Sequence, residues 1–185
     1  MSDAQNVIAA ARTPTRRQVI SGAALTLGTL AASSTLWGKP QQGAKETPSP
    51  AADKTRTFLH QEIDLKVGPQ RIYEALLDAR QFSAFSGAVA EIDRVAGGAF
   101  SMFGGIIVGR NIELVPNQRI VQAWRPKYWG AGVYSVVKFE LREQGSQTKV
   151  ILDHTGFPEG LFASLDSGWY ERYWEPLKKY LKNKK

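Results

Sequence analysis

The feature that most restricts the fold of this 185-residue chain is a hydrophobic period that changes three times. In "TFLHQEIDLKV" the residues alternate. Leu59, Gln61, Ile63, Leu65 and Val67 share one face, and His60, Glu62, Asp64 and Lys66 share the other. Such alternation is the mark of a half-buried strand. In "GPQRIYEALLDARQFSAFSG" the period becomes helical. Pro69 suits a first turn, and Ile72, Ala75, Leu76 and Phe82 recur at helical spacing. The expected helices run from about Pro69 to Asp78 and from Arg80 to Phe85. Alternation then returns in short runs, "AEIDRV", "AFSMF", "IIVGRNIELV", "RIVQAWR", "VYSVVKFEL" and "QTKVILDHTG". Glycine, proline and asparagine punctuate them, which predicts an antiparallel meander.

The third change comes at Pro158. Leu161, Leu165, Trp169, Tyr173, Leu177 and Tyr180 or Leu181 form one stripe through Lys182. A helix of that length, about 35 Å, has to lie across something broad, and the sheet is the only broad object available. Each large apolar side chain buried there contributes about 1.5–3 kcal/mol. The expected fold is therefore α+β. It is a helix grip, with a curved antiparallel sheet of about six to seven strands wrapped around a long C-terminal helix. A cavity between sheet and helix is the expected ligand site.

The first 38 residues read as an address. Arg16 and Arg17 precede a charge-free stretch from Val19 to Gly38, which is diluted by glycine, serine and threonine. A basic region, a modestly apolar region and then small residues make a signal peptide. "TRRQVIS" resembles the twin-arginine export motif, and Lys39 suits that route. Processing is expected after Ser33 or Ser34, leaving no stable membrane span. The implied partner is the twin-arginine translocation machinery, and the implied location is the periplasm or another exported compartment. Residues 39–56, rich in proline, alanine and polar residues, are expected to be a disordered linker. The folded domain is then 57–185.

Composition excludes several functions. The net charge is +7, but residues 1–44 hold four basic residues against one acidic. Five more lysines lie between Lys178 and Lys185. The rest is near neutrality, so nucleic acid is not an expected partner. There is no cysteine, which removes disulfides, thiolate metal sites and a cysteine nucleophile. Two histidines cannot make a three-histidine metal site. No cofactor, metal or catalytic residue is assigned.

Strand parity nominates the cavity lining. Read with a single parity from Ile106 to Val115, the even face carries Ile106, Val108, Ile112, Leu114 and one charge, Arg110. Neighbouring strands add Gln122, Trp124, Ser135 and His154. A buried arginine needs a partner, and no acidic residue shares these faces. The expected ligand is therefore an amphipathic anion, with Arg110 reaching solvent as the bland alternative. "KYWGAG", ending the fourth of these runs, places Tyr128 and Trp129 at the cavity entrance, with core packing as their alternative. Trp169 lines the cavity from the helix. Ser135 with His154 has no nucleophile-elbow sequence and no acid to orient the imidazole. Asp153 points to the opposite face from His154.

Two long stretches carry a family likeness: "GGAFSMFGGIIVGRNIELVPNQRIVQAWRPKYWGAGVYSVVKFEL" and "GFPEGLFASLDSGWYERYWEPLKKYL". With Gly109, Leu114-Val115-Pro116, Trp124-Arg125, Trp129, Thr148, Gly168-Trp169 and Tyr173 in order, they resemble the START-like (SRPBCC) superfamily. Within it they resemble the C-terminal domain of activators of the heat shock protein 90 ATPase. The resemblance spans about Phe58 to Leu181 and implies the helix-grip fold. The chaperone and its ATP are cytoplasmic, so an export signal argues against chaperone activation. The expectation is an exported domain holding a lipid-like or aromatic small molecule. The alternative is a small cofactor-independent enzyme of the polyketide cyclase or aromatase type.

Overall fold

The computed structural model describes residues 50–183. The expected signal peptide and its arginine pair, Arg16 and Arg17, lie outside the described residues, as do residues 39–49 of the expected linker. The end of that linker is not disordered. Pro50–Thr55 is a short helix, α1. The Gly160 N–H donates to the Lys54 carbonyl at 2.8 Å, and the Arg56 guanidinium lies 4.0 Å over the Phe162 ring.

Strand β1 is Phe58–Leu65, and its burial alternates as its sequence does. Helices α2 (Pro69–Leu77) and α3 (Ala79–Ser86) follow. Asp78 separates them by serving both. Its backbone N–H closes α2, and its carboxylate accepts from Gln81 N at 2.9 Å to cap α3. Gly87 ends α3 in the left-handed region, at φ 71°. Strands β2 (Glu91–Ile92), β3 (Ala99–Met102), β4 (Ile107–Val115), β5 (Arg119–Pro126), β6 (Ser135–Gln144) and β7 (Gln147–Thr155) complete the sheet. The expected strand "AEIDRV" is thus only two residues long.

The seven strands make one curved antiparallel sheet in the order β1-β7-β6-β5-β4-β3-β2. Cross-strand register stacks the inner face in rows. One row is Phe100, Gly109, Trp124 and Ser135. The next is Asn111, Gln122, Val137, His154 and Leu59, followed by Leu114, Ile120, Phe139, Leu152 and Gln61. Gly109 is required by close approach. A Cβ there would overlap the Ala123 carbonyl oxygen and lie 2.5 Å from Phe100 Cζ. The outer face carries ion pairs, among them Lys138–Asp153 and Lys149–Glu62, and a hydrogen bond between His60 and Asp153. Exposed pairs of this kind add little stability.

The C-terminal helix begins at Phe162, later than the expected Pro158, because Gly156 to Gly160 form a turn. It is not uniform. Helix α4 (Phe162–Trp169) leads into a π-helical turn, Tyr170–Trp174, and then α5 (Glu175–Asn183). Pro176 supplies the physical reason. It has no N–H to give to the carbonyl four residues back, and its ring crowds that carbonyl. The wider turn lets the consecutive residues Tyr173 and Trp174 both face the sheet, and both are buried.

Candidate functional site

A cavity of about 560 Å³ opens between the inner face of the sheet and the C-terminal helix. Four aromatic residues wall it: Phe103, Trp124, Trp169 and Tyr173. The Trp124 and Trp169 rings stack with centroids 5.0 Å apart, and Tyr173 tilts against Trp169 at 4.6 Å. Ile106, Ile107 and Leu165 add aliphatic surface, and Tyr128, Glu171 and Arg172 lie at the rim. The last two oppose each other in sign.

The polar residues of the inner face are satisfied by one another. Gln122 Nε2 donates to Asn111 Oδ1 at 2.8 Å, and Asn111 Nδ2 donates to the Asp93 carbonyl at 2.7 Å. Trp124 Nε1 donates to Gln122 Oε1 at 2.9 Å. At the other end of the row, Trp169 Nε1 donates to His154 Nδ1 at 3.2 Å. His154 Nδ1 therefore carries a lone pair, and the neutral ring holds its proton on Nε2. That N–H donates to Ser135 Oγ at 2.8 Å, and the Ser135 hydroxyl donates onward to the Trp124 carbonyl. Burial lowers the His154 pKa from 6.5 to about 3, so the imidazole is uncharged at any physiological pH. Both ring nitrogens are engaged and Ser135 receives a proton rather than losing one. This is a structural relay, not an activated nucleophile.

Gln122, Trp124, Ser135 and His154 thus meet on the inner face, as strand parity implied, and Trp169 reaches them from the helix; Trp124, His154 and Trp169 line the cavity, while Gln122 and Ser135 lie outside its lining. Arg110 does not. It is exposed, on the outer face, and its Nη1 donates to the Gly97 carbonyl at 2.9 Å. The cause is a bulge in β4 between Asn111 and Glu113. Before it the odd residues Gly109 and Asn111 face inward; after it the even residue Leu114 does. A single parity across the strand was correct for Leu114 and wrong for Arg110. The bulge sits where Asn111 pairs with the β2–β3 turn, taking the Gly98 carbonyl and giving its own to Gly97 N–H.

The two entrance candidates separate. Tyr128 is 73 % exposed and lies at the cavity rim. Trp129 is 7 % exposed and belongs to the core, with an indole N–H that reaches no acceptor among the described residues. Sequence reasoning missed Asn111 and Trp174. Trp174 Nε1 donates to Gln61 Oε1 at 2.6 Å, and Gln61 Nε2 reaches Asp166 Oδ1 at 2.7 Å, which explains a glutamine on the apolar face of β1. Pro176 inside the helical stripe was the signal available for Trp174.

Among the described residues, no cluster of three or more histidine, aspartate or glutamate side chains is placed to hold a metal. No described helix is long and apolar enough to cross a membrane.

A seven-stranded sheet gripping a C-terminal helix over an aromatic cavity defines a helix-grip protein of the START-like class. The chain belongs, more narrowly, to the family described as Activator of Hsp90 ATPase homolog 1-like protein, which it matches over residues 66–182. It is 29 % identical over 131 residues to an activator of 90 kDa heat shock protein ATPase homologue of Dictyostelium discoideum, covering 70 % of this chain and 34 % of that one. It is 27 % identical over 110 residues to the human homologue 1, covering 60 % and 32 %. The chain spans about a third of the length of these curated relatives. Among solved structures, an HSP90 activator from Plasmodium falciparum superposes with a TM-score of 0.66 at 26 % identity, covering 69 % of this chain and 97 % of that one. CalU16 from Micromonospora echinospora shares the fold, with a TM-score of 0.59 at 19 % identity, covering 66 % and 74 %.

Proposed function

We propose that this chain is an exported member of its family that holds a hydrophobic or amphipathic small molecule between the sheet and the C-terminal helix. The observation that carries this is the 560 Å³ cavity, with four aromatic walls, between the sheet and the C-terminal helix. That volume suits a small ligand, and apolar concavities with few polar groups are the usual form of such sites. Export through the twin-arginine translocation machinery rests on Arg16, Arg17 and the charge-free stretch after them. The test has two arms. Protein purified natively from its own host is extracted and its small molecules identified by mass spectrometry. Cell fractionation follows the full chain beside an Arg16→Lys, Arg17→Lys variant. A specific co-purifying molecule supports the binding reading. Equal distribution of the two chains between compartments would end the export reading.

A cyclase-type enzyme would need a group free to move a proton in the cavity. The hydrogen bonds at both nitrogens of His154 argue against it in that role. The likeness to chaperone activators favours one second reading, in which the domain touches a heat shock protein 90 type chaperone. Stimulation of that chaperone's ATPase by residues 50–185 would support it, and no change in rate would remove it.

A further inference from the structure

The cavity's polarity restricts what it can hold, on the reading that it binds a small molecule at all. Six polar side chains are buried in the domain: Gln61, Asn111, Gln122, Ser135, Thr148 and His154. Each is hydrogen-bonded to protein. None carries a positive charge to neutralise a buried anion, and His154 is uncharged. The groups of opposite charge at the rim, Glu171 and Arg172, are exposed and select no net charge. A carboxylate pushed to the cavity floor would therefore lose its hydration without gaining a cation, which is strongly unfavourable.

Among the buried residues that line the cavity, one keeps a polar group without a protein partner. Tyr173 lines the cavity and is only 3 % exposed, and no described residue is placed as a hydrogen-bond partner of its hydroxyl. Burial raises its pKa, so it stays a phenol and can donate. Among its buried lining residues the cavity therefore offers one unengaged donor, set among aromatic faces that favour stacked or edge-on rings.

We infer that the cavity takes a flat, uncharged aromatic molecule that buries a carbonyl or ether oxygen against the Tyr173 hydroxyl. This replaces the anion that Arg110 had suggested. Tyr173 stands on the same helical stripe as Trp169, and the π-helical turn lets Trp174 close the core beside it.

Three probes of one size separate the chemistry: fluorenone, with a carbonyl; fluorene, with no acceptor; and fluorene-9-carboxylate, an anion. Equilibrium dialysis measures each against the folded domain and two variants. Tyr173→Phe removes the hydroxyl and keeps the ring. Gly168→Leu fills the cavity, because a Cβ at this helical position meets nothing within 4 Å. Fluorenone is expected to bind best and to weaken about five- to tenfold in Tyr173→Phe, while fluorene is unchanged. Gly168→Leu is expected to abolish both. The carbonyl stretch of bound fluorenone should shift to lower frequency in the infrared, a readout that does not depend on any variant folding. If the carboxylate binds more tightly than fluorenone, or the stretch is unshifted and Tyr173→Phe has no effect, the inference is overturned while the cavity reading stands. If no probe binds, or Gly168→Leu leaves binding intact, the cavity reading fails and takes the inference with it.

Discussion

Acidification should destabilise this protein through one imidazole, well above the range where carboxylates titrate. His154 has a folded pKa of about 3 against an ordinary value of 6.5, because burial penalises its charged form. Above pH 6.5 both folded and unfolded chains hold it neutral, and it has no effect on the balance. As pH falls below 6.5 the unfolded chain binds a proton that the folded chain refuses, and stability drops until about pH 3. Each pH unit in that window costs about 1.4 kcal/mol. Between pH 7 and pH 5 the loss from this group is therefore roughly 2 kcal/mol. Urea unfolding followed by tryptophan fluorescence at the two pH values measures it. His60, the other histidine, is removed in a His60→Gln background. His154→Asn in that background keeps an amide oxygen for the Trp169 N–H and cannot titrate. The His60→Gln protein should lose about 2 kcal/mol more between pH 7 and 5 than the double variant. Glu62, Glu113 and Glu140 have pKa values lowered by hydrogen bonds to Lys149, Arg119 and Arg142 respectively. They act mainly below pH 4.5 and are common to both proteins. Equal losses in the two proteins, or an imidazole that protonates near pH 6 in an NMR titration of the folded domain, would refute the reasoning.

Gly109→Ala should destabilise by about 1–3 kcal/mol in a urea titration, because the new methyl meets the Ala123 carbonyl and the Phe100 ring. Trp174→Phe should cost a similar 1–3 kcal/mol by leaving Gln61 Oε1 buried without its donor. Arg110→Ala should shift stability by no more than about 0.5 kcal/mol. Asn111→Ala, one residue on, should cost about 1–3 kcal/mol by orphaning Gln122 and the β2–β3 turn.

The fold was legible because its signals are local. Asp78 and Gly87 mark helix ends, and prolines and glycines mark strand ends. Alternation placed Leu59, Ile63, Gln122, Trp124, Ser135 and His154 on the buried side without any knowledge of their neighbours. Half of the site was legible for the same reason. The rest depends on contacts between distant parts of the chain. Arg110 and Asn111 are adjacent and equally plausible in sequence. Only the bulge decides between them, and the bulge exists because Asn111 meets a turn more than ten residues earlier.

The sequence by itself determined the order of elements, the apolar stripe of the last helix and the absence of cysteine chemistry, since each is a property of spacing or composition. Tertiary structure alone decided how the polar residues were used. Gln122, Ser135 and His154 have free hydrogen-bonding capacity when read as a string, and they lose it only when Asn111, Trp124 and Trp169 arrive from other elements. Tyr173 is left over because no acceptor among the described residues reaches its hydroxyl at the cavity. Satisfaction of a buried polar group is a property of its surroundings, and those are assembled only when the sheet closes on the helix.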